Sequence, residues 1–244
     1  MIDSTRNKIA LIDVDILLFF ASYDIDEIHI AKSILTNKIN SILDKVGAEQ
    51  YELFVGGYNN FRYLIDDNYK ANRKGVEKPL LFYDLKKLAI EQLQSFVANG
   101  VETDDVITAT ARYIKENTDS IPVICSIDKD FLTKEGWMYM WSRKNVSDKM
   151  TYTDKMTAEF NFAVQMLVGD RADNILVCSG IGQKTAEKML KGKSRFLMLL
   201  TLVRTYKKFY RGDWKVKLID TYRLLYLVDN YERIKIPKEF KFNI

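Results

Sequence analysis

Eight carboxylates stand in four separated stretches of the chain: Asp13; Glu102, Asp104 and Asp105; Asp128 and Asp130; Asp170 and Asp173. Each stretch reads as a strand end or a helix start. Gathered in one crevice, so many like charges could not stay ionised without a balancing charge. Ligands that are all oxygen select hard cations, here Mg²⁺ or Mn²⁺. Two such ions about 4 Å apart are a common device for phosphodiester hydrolysis. Taken singly, each acid has an ordinary alternative: Asp13 or Asp170 could cap a helix. Three acids between positions 102 and 105 exceed what capping needs.

Two further motifs suit a polyanion. Gly180-Ile181-Gly182-Gln183-Lys184-Thr185-Ala186 reads as a glycine hairpin opening a helix. Glycines let backbone approach a phosphate, and the N–H groups of a helix start point at it. The hairpin could equally be a plain helix–helix turn. Its place directly after Asp170 and Asp173 is what sets a metal site against a nucleic-acid backbone. Tyr69, Lys70 and Arg73 form the second motif. Arg binds phosphate bidentately and Lys acts as a point charge, so the trio is a candidate phosphate clamp as well as a candidate solvated loop.

Composition narrows the field. The net charge is +4, and setting the eight acids aside leaves about +12 on the remaining surface, which suits a polyanion partner. His29 is the only histidine and has no cysteine near it in sequence, so a histidine-based zinc site or a Ser-His-Asp triad is nearly excluded. Cys125 and Cys178 lie in apolar runs and are expected to be buried thiols of an intracellular protein. The start of the chain lacks a signal-peptide pattern, and no apolar stretch reaches membrane length. At 244 residues and 47% hydrophobic content the chain can bury a real core.

The elements that must position these residues follow from apolar patterning. Residues 9–20 (IALIDVDILLFF) read as a buried parallel strand. Asp13 would lie at its carboxyl end, with Asp15 on the same side. Residues 51–57, 121–127 and 137–141 read as further strands. Helices are expected over 28–46, 80–97, 107–114, 156–167, 196–210 and 214–228. Strands ending in aspartate define an open α/β sheet with its site at the carboxyl edge. The helical part takes over near residue 165.

These pieces together resemble the 5′-nuclease family: flap endonucleases, phage 5′–3′ exonucleases and the 5′-nuclease domain of DNA polymerase I. The matching segments are LID at 11–13, FR…YKANR at 61–73, VETDD at 101–105, SIDKDF at 126–131, and GDRADNI…GIGQKTA at 169–186. TYRLLYLVD at 221–229 is similar to a later helix of the family. The resemblance implies a mainly parallel, PIN-like α/β core over 1–165, with an arch over 70–100. A helix-3-turn-helix with further helices would fill 166–244. It implies Asp13, Glu102 and Asp104 at a first metal and Asp128, Asp130 and Asp170 at a second, with Asp105 and Asp173 in or near the outer shell. Lys70 and Arg73 would meet the scissile phosphate. Gly180, Gly182, Gln183, Lys184 and Thr185 would hold the duplex, with K⁺ on the hairpin carbonyls. The implied protein is a monomer acting on 5′ ends, flaps and RNA–DNA hybrids alongside replication proteins, in the cytoplasm of an infected bacterial host. One departure stands out: the family's Asp at the end of the second strand is here Val55, and Asp15 is expected to replace it in part. That departure keeps a second reading open, a catalytically weak DNA junction-binding protein. A PIN-type ribonuclease, which would not need the glycine hairpin, is a third.

Overall fold

The computed structural model describes residues 6–142 and 146–230. Its centre is a six-stranded sheet of β1 (Lys8–Asp13), β2 (Gln50–Gly56), β3 (Phe96–Ala98), β4 (Ile121–Cys125), β5 (Gly136–Met140) and β6 (Lys149–Thr153). The spatial order is β3-β2-β1-β4-β5-β6, parallel throughout except for β6, which runs antiparallel to β5. Strand order reverses between β1 and β4, so a crevice opens beyond their carboxyl ends.

Both faces of the sheet are covered. Along β1, Ala10 and Ile12 face one core, and Ile9 and Leu11 face the other. The first core lies under α1 (Val14–Ser22), α2 (Ile28–Val46) and α3 (Phe82–Glu91). The second lies under α4 (Thr103–Asn117). A third apolar cluster joins α5 (Lys155–Val168), α6 (Gln183–Leu190), α7 (Arg195–Tyr210) and α8 (Trp214–Leu225). The hairpin of β7 (Gly169–Asp170) and β8 (Ile175–Leu176) links α5 to α6. Tyr69 is buried in this third cluster and ties the 61–73 segment to the helices. No described helix is long and apolar enough to cross a membrane.

The chain departs from the sequence expectations at three places. The 9–20 run is a strand only as far as Asp13, where α1 begins. A run apolar on every side does not reveal its period, and Leu17, Leu18 and Ala21 bury as a helix face. Asp15 therefore sits in the first helical turn rather than on an extended strand. The 80–97 helix is shorter, and the 70–100 segment is not one arch. Phe82, Leu85 and Ala89 of α3 are buried in the first core, where α3 packs with α1 and α2, and β3 pairs with β2. Finally, β6 had no expected counterpart; it carries Lys, Thr and Tyr on a half-exposed edge.

Candidate active site

The crevice at the end of β1 and β4 is built around Asp13. Its side chain is buried, and Oδ2 accepts a hydrogen bond from Ser126 Oγ at 3.1 Å. Oδ1 is buried with no hydrogen-bond partner among the described residues. Asp13 occupies the N-cap position of α1 without a side-chain cap hydrogen bond of ordinary geometry. Burial, with Asp15 and Asp128 adding to it, pushes the carboxyl up to about 7.

The other acids arrive from three directions. Asp128 caps the short 3₁₀ turn Lys129–Thr133 by accepting the Asp130 N–H at 2.9 Å. Asp130 is pushed up to about 7 by burial, then by Asp128, Asp170 and Asp173. Its Oδ1 accepts from Gln165 Nε2 of α5 at 2.9 Å. Asp104, in the first turn of α4, is raised well above the usual carboxylate range by burial and by Asp13, Asp128 and Glu102. Asp170 Oδ1 accepts the N–H groups of Ala172 (2.7 Å) and Asp173 (3.3 Å), which shapes the turn after β7. The four stretches thus meet electrostatically in one crevice.

Tyr69, Lys70 and Arg73 face these acids. Lys70 takes a left-handed backbone (φ 53°), and its N–H donates to the Asp173 carbonyl at 2.9 Å. Lys70 Nζ bonds Glu102 Oε1 and lies 3.5 Å from Asp173 Oδ2. Arg73 bonds Asp173 Oδ1 and the Ala172 carbonyl. The Tyr69 hydroxyl reaches Glu102 Oε1 (3.0 Å) and Asp173 Oδ2 (2.9 Å). Burial works against the Glu102 carboxylate, but the Lys70 ammonium and Arg62 guanidinium hold it below its usual range. Asp173 stays raised by burial despite Lys70 and Arg73. The two cations are therefore neutralised by carboxylates rather than presented as an open clamp.

Asp105 is placed elsewhere. Arg62 grips it with two bonds, Nη1–Oδ2 at 2.6 Å and Nη2–Oδ1 at 2.9 Å. The N–H groups of Glu102 (3.0 Å) and Val228 (2.8 Å) complete its shell. No acceptor capacity is left for an ion, so the structure does not bring Asp105 in as a metal ligand. Asp15 lies over the end of β2. Its Oδ2 accepts from the Gly56 N–H at 2.6 Å and from Thr103 Oγ1 at 3.1 Å, and a Cβ on Gly56 would sit 2.9 Å from that oxygen. Val55 itself is buried in the first core.

At the hairpin, Gly180 has φ +87°, a conformation that favours glycine, and Gly182 is the N-cap of α6 without a side-chain cap bond. A Cβ at either glycine would meet nothing within 4 Å among the described residues. Gln183, Lys184 and Thr185 are exposed, while Ala186 and Leu190 anchor the helix in the third cluster. The Ile181 N–H donates to the Cys178 carbonyl and the Thr185 and Ala186 N–H groups to the Gly182 carbonyl, each at 3.0 Å, so a phosphate would meet the exposed start of α6 at Gly182, Gln183 and Lys184.

Sequence reasoning missed the roles of Arg62, Ser126 and Gln165. Gln165 carried a signal, being a polar residue on an apolar helix one turn before Asp170. Arg62 stood in the FR pair of the matching 61–73 segment, but its partner lies 43 positions away and was hidden. The donor set fits a hard divalent cation: oxygen ligands, an orphaned buried oxygen on Asp13 and several carboxyls raised by burial and then by one another. Among the described residues no three of these side chains yet surround a common point as ligands would.

Residues 8–160 match the 5′–3′ exonuclease N-terminal resolvase-like domain, and the chain belongs to that family. It is 31% identical over 166 residues to an exodeoxyribonuclease of Enterobacteria phage T3, covering 66% of this chain and 54% of the phage protein. It is 29% identical over 209 residues to DNA polymerase I of Geobacillus stearothermophilus, covering 76% of this chain and 23% of the polymerase. The chain thus spans about half the length of the phage relative and about a quarter of the polymerase. In fold it is similar to the bacteriophage T5 flap endonuclease (TM-score 0.62, 17% identity, 90% of this chain and 99% of that one). The α/β core with its mostly parallel sheet is the PIN-like nuclease fold.

Proposed function

We propose that this chain is a divalent-metal-dependent 5′-nuclease that hydrolyses phosphodiesters at DNA 5′ ends, flaps and branched junctions. The observation that carries this reading is Asp13: a buried carboxylate at the strand-order reversal, with one oxygen unpartnered, in a crevice of further acids that faces Lys70 and Arg73. The phage exodeoxyribonuclease and the T5 flap endonuclease, the latter solved with DNA and metal ions, support it.

In this reading Asp13, Glu102 and Asp104 hold one ion, with Asp15 substituting for the acid absent at Val55. Asp128, Asp130 and Asp170 would hold a second. Bound Mg²⁺ or Mn²⁺ supplies an activated water and charge neutralisation at the scissile phosphate. The chain's own residues do the rest. Lys70 and Arg73 exchange their bonds to Glu102 and Asp173 for phosphate oxygens, a replacement of one oxyanion by another. Tyr69, with its hydroxyl between Glu102 and Asp173, keeps those two carboxylates apart and oriented. Asp173 acts as the resting counter-ion of the clamp. Helices α5 and α6 with the glycine turn form a helix-3-turn-helix that holds the duplex backbone through Gly180, Gly182, Gln183, Lys184 and Thr185, with K⁺ on its carbonyls. Removal of RNA primers beside replication proteins, inside an infected bacterial cell, is the setting that fits.

Incubation of the protein with a 5′-flap duplex, with Mg²⁺ and with EDTA, tests this. Mg²⁺-dependent release of products bearing a 5′-phosphate is expected. Tight junction binding without cleavage at any Mg²⁺ or Mn²⁺ level would instead establish the junction-binding reading, which the apolar Val55 favours. Faster cleavage of single-stranded RNA than of the flap would establish the ribonuclease reading.

A further inference from the structure

The segment that follows α8 touches both acid-bearing parts of the crevice. At one end, Arg62 Nε donates to the Leu224 carbonyl (2.8 Å) and Nη2 to the Tyr226 carbonyl (3.0 Å). The same guanidinium grips Asp105, which also accepts the Val228 N–H and the Glu102 N–H. That fixes the helix start carrying Glu102 and Asp104. At the other end, Lys134 Nζ lies 3.1 Å from Asp229 Oδ2 and 3.5 Å from the Tyr226 ring centre. The Tyr226 hydroxyl bonds Asp229 at 3.0 Å. Lys134 is the C-cap of the 3₁₀ turn whose start carries Asp128 and Asp130. Between the two ends, Leu227 is buried in the second core with Ile107 and Phe131.

We infer that residues 226–229 are a clasp that fixes the spacing of these two acid-bearing segments, with Arg62 and Lys134 as positioning residues. The inference rests on the metal-dependent reading above. Packing alone does not call for this arrangement, because burying a guanidinium is costly and an apolar side chain would fill the same space. What the charged contacts add is geometry. The Arg62 fork and the Asp105 shell each accept one arrangement, Lys134 adds a charged contact to Asp229, which Arg112 shares at 3.6 Å, and one short piece of chain touches all of them. Because α8 packs with the helices that carry the glycine turn, duplex seating and acid spacing share this element.

The test is Mn²⁺ affinity of the full chain by titration calorimetry without DNA, with flap cleavage and thermal melting in parallel. Asp229 is partly exposed, and asparagine keeps its size and an acceptor for the Tyr226 hydroxyl, so Asp229→Asn is the milder variant. It is expected to weaken Mn²⁺ binding about tenfold, and Arg62→Lys about 10- to 100-fold, as outer contacts that orient ligands do. Saturating Mn²⁺ is expected to restore most of the cleavage rate of Asp229→Asn. Affinities within about twofold of the parent, together with a lowered melting temperature, would overturn the clasp and leave a purely structural strap. If Arg62→Lys does not fold, Asp229→Asn decides alone. A parent chain that binds Mn²⁺ and cleaves keeps the nuclease reading whatever the variants do, and a parent that binds none overturns both.

Discussion

Asp104 and Asp105 are neighbours on the first turn of α4, and they have opposite surroundings. Asp105 is wholly buried and has every oxygen lone pair engaged, by Arg62 and two backbone N–H groups. Asp104 is desolvated by burial and also faces Asp13, Asp128 and Glu102, and the two together drive its carboxyl well above the ordinary range. Burial alone therefore does not mark a functional acid in this protein. The mark is burial without compensation, which persists only if something absent from the chain supplies it.

The largest expected effect separates the two acids by stability. Asp105→Asn leaves the Arg62 guanidinium buried without its counter-charge and is expected to cost about 3–5 kcal/mol in denaturant unfolding. Asp104→Asn removes an uncompensated charge, so the metal-free protein is expected to be as stable as the parent or more so. Equal losses in both variants would erase the distinction. Catalysis is expected to reverse the ranking. Asp13→Asn and Asp104→Asn should each lower Mg²⁺-dependent flap cleavage by about 10²- to 10³-fold, in keeping with the loss of a main electrostatic contact. A rate within a few-fold of the parent in either variant would break the assignment.

The burial of Asp13, with Asp15 and Asp128 beside it, makes a pH prediction. Asp13 has a folded value near 7, above its ordinary 3.8, so the folded state holds the proton more tightly. Its contribution is fully present below about pH 4 and is lost as pH rises toward 7. In EDTA, stability should fall across that window, by roughly 2–4 kcal/mol from this group. Asp13→Asn should flatten the slope, and saturating Mg²⁺ should flatten it in the parent. A smaller effect is expected at the end of β2. Asp15→Asn should lower cleavage about tenfold by loosening the site beside Val55. An unchanged rate and Mg²⁺ dependence would show that Asp15 only ties Gly56 and Thr103 together.

Much of this was legible from sequence, and the reason is local. Strand ends, helix starts and the glycine turn are short-range patterns, so Asp13, Asp128, Asp170 and Gly180–Gly182 could be placed by inspection. The strand-to-helix change at Asp13 was not legible, because residues 9–20 are apolar on all sides. The fate of Asp105 was hidden for another reason. Its partners, Arg62 and Val228, lie 43 and 123 positions away, and no spacing rule connects them. The 70–100 segment misled because α3 has ordinary helix periodicity, which says nothing about whether a helix packs on the sheet or stands away from it.

Glu52 gives the finest version of the comparison. It lies on β2 opposite Leu11, and its carboxyl is also raised to about 7, but burial is the sole cause. No acid crowds it, so no ion should relieve it. Its folded value exceeds the ordinary 4.5, so its stabilising share is complete below about pH 4.5 and lost as pH rises through 7. Partial exposure limits this share to about 1 kcal/mol. Glu52→Gln should therefore trim the slope between pH 5 and 8 slightly, and by the same amount with and without Mg²⁺. Unfolding curves of the parent and Glu52→Gln, each in EDTA and in Mg²⁺, measure this directly. A Glu52 contribution that vanished on adding Mg²⁺ would mean that ion binding reshapes the whole sheet edge, and that burial and crowding are not separable causes here.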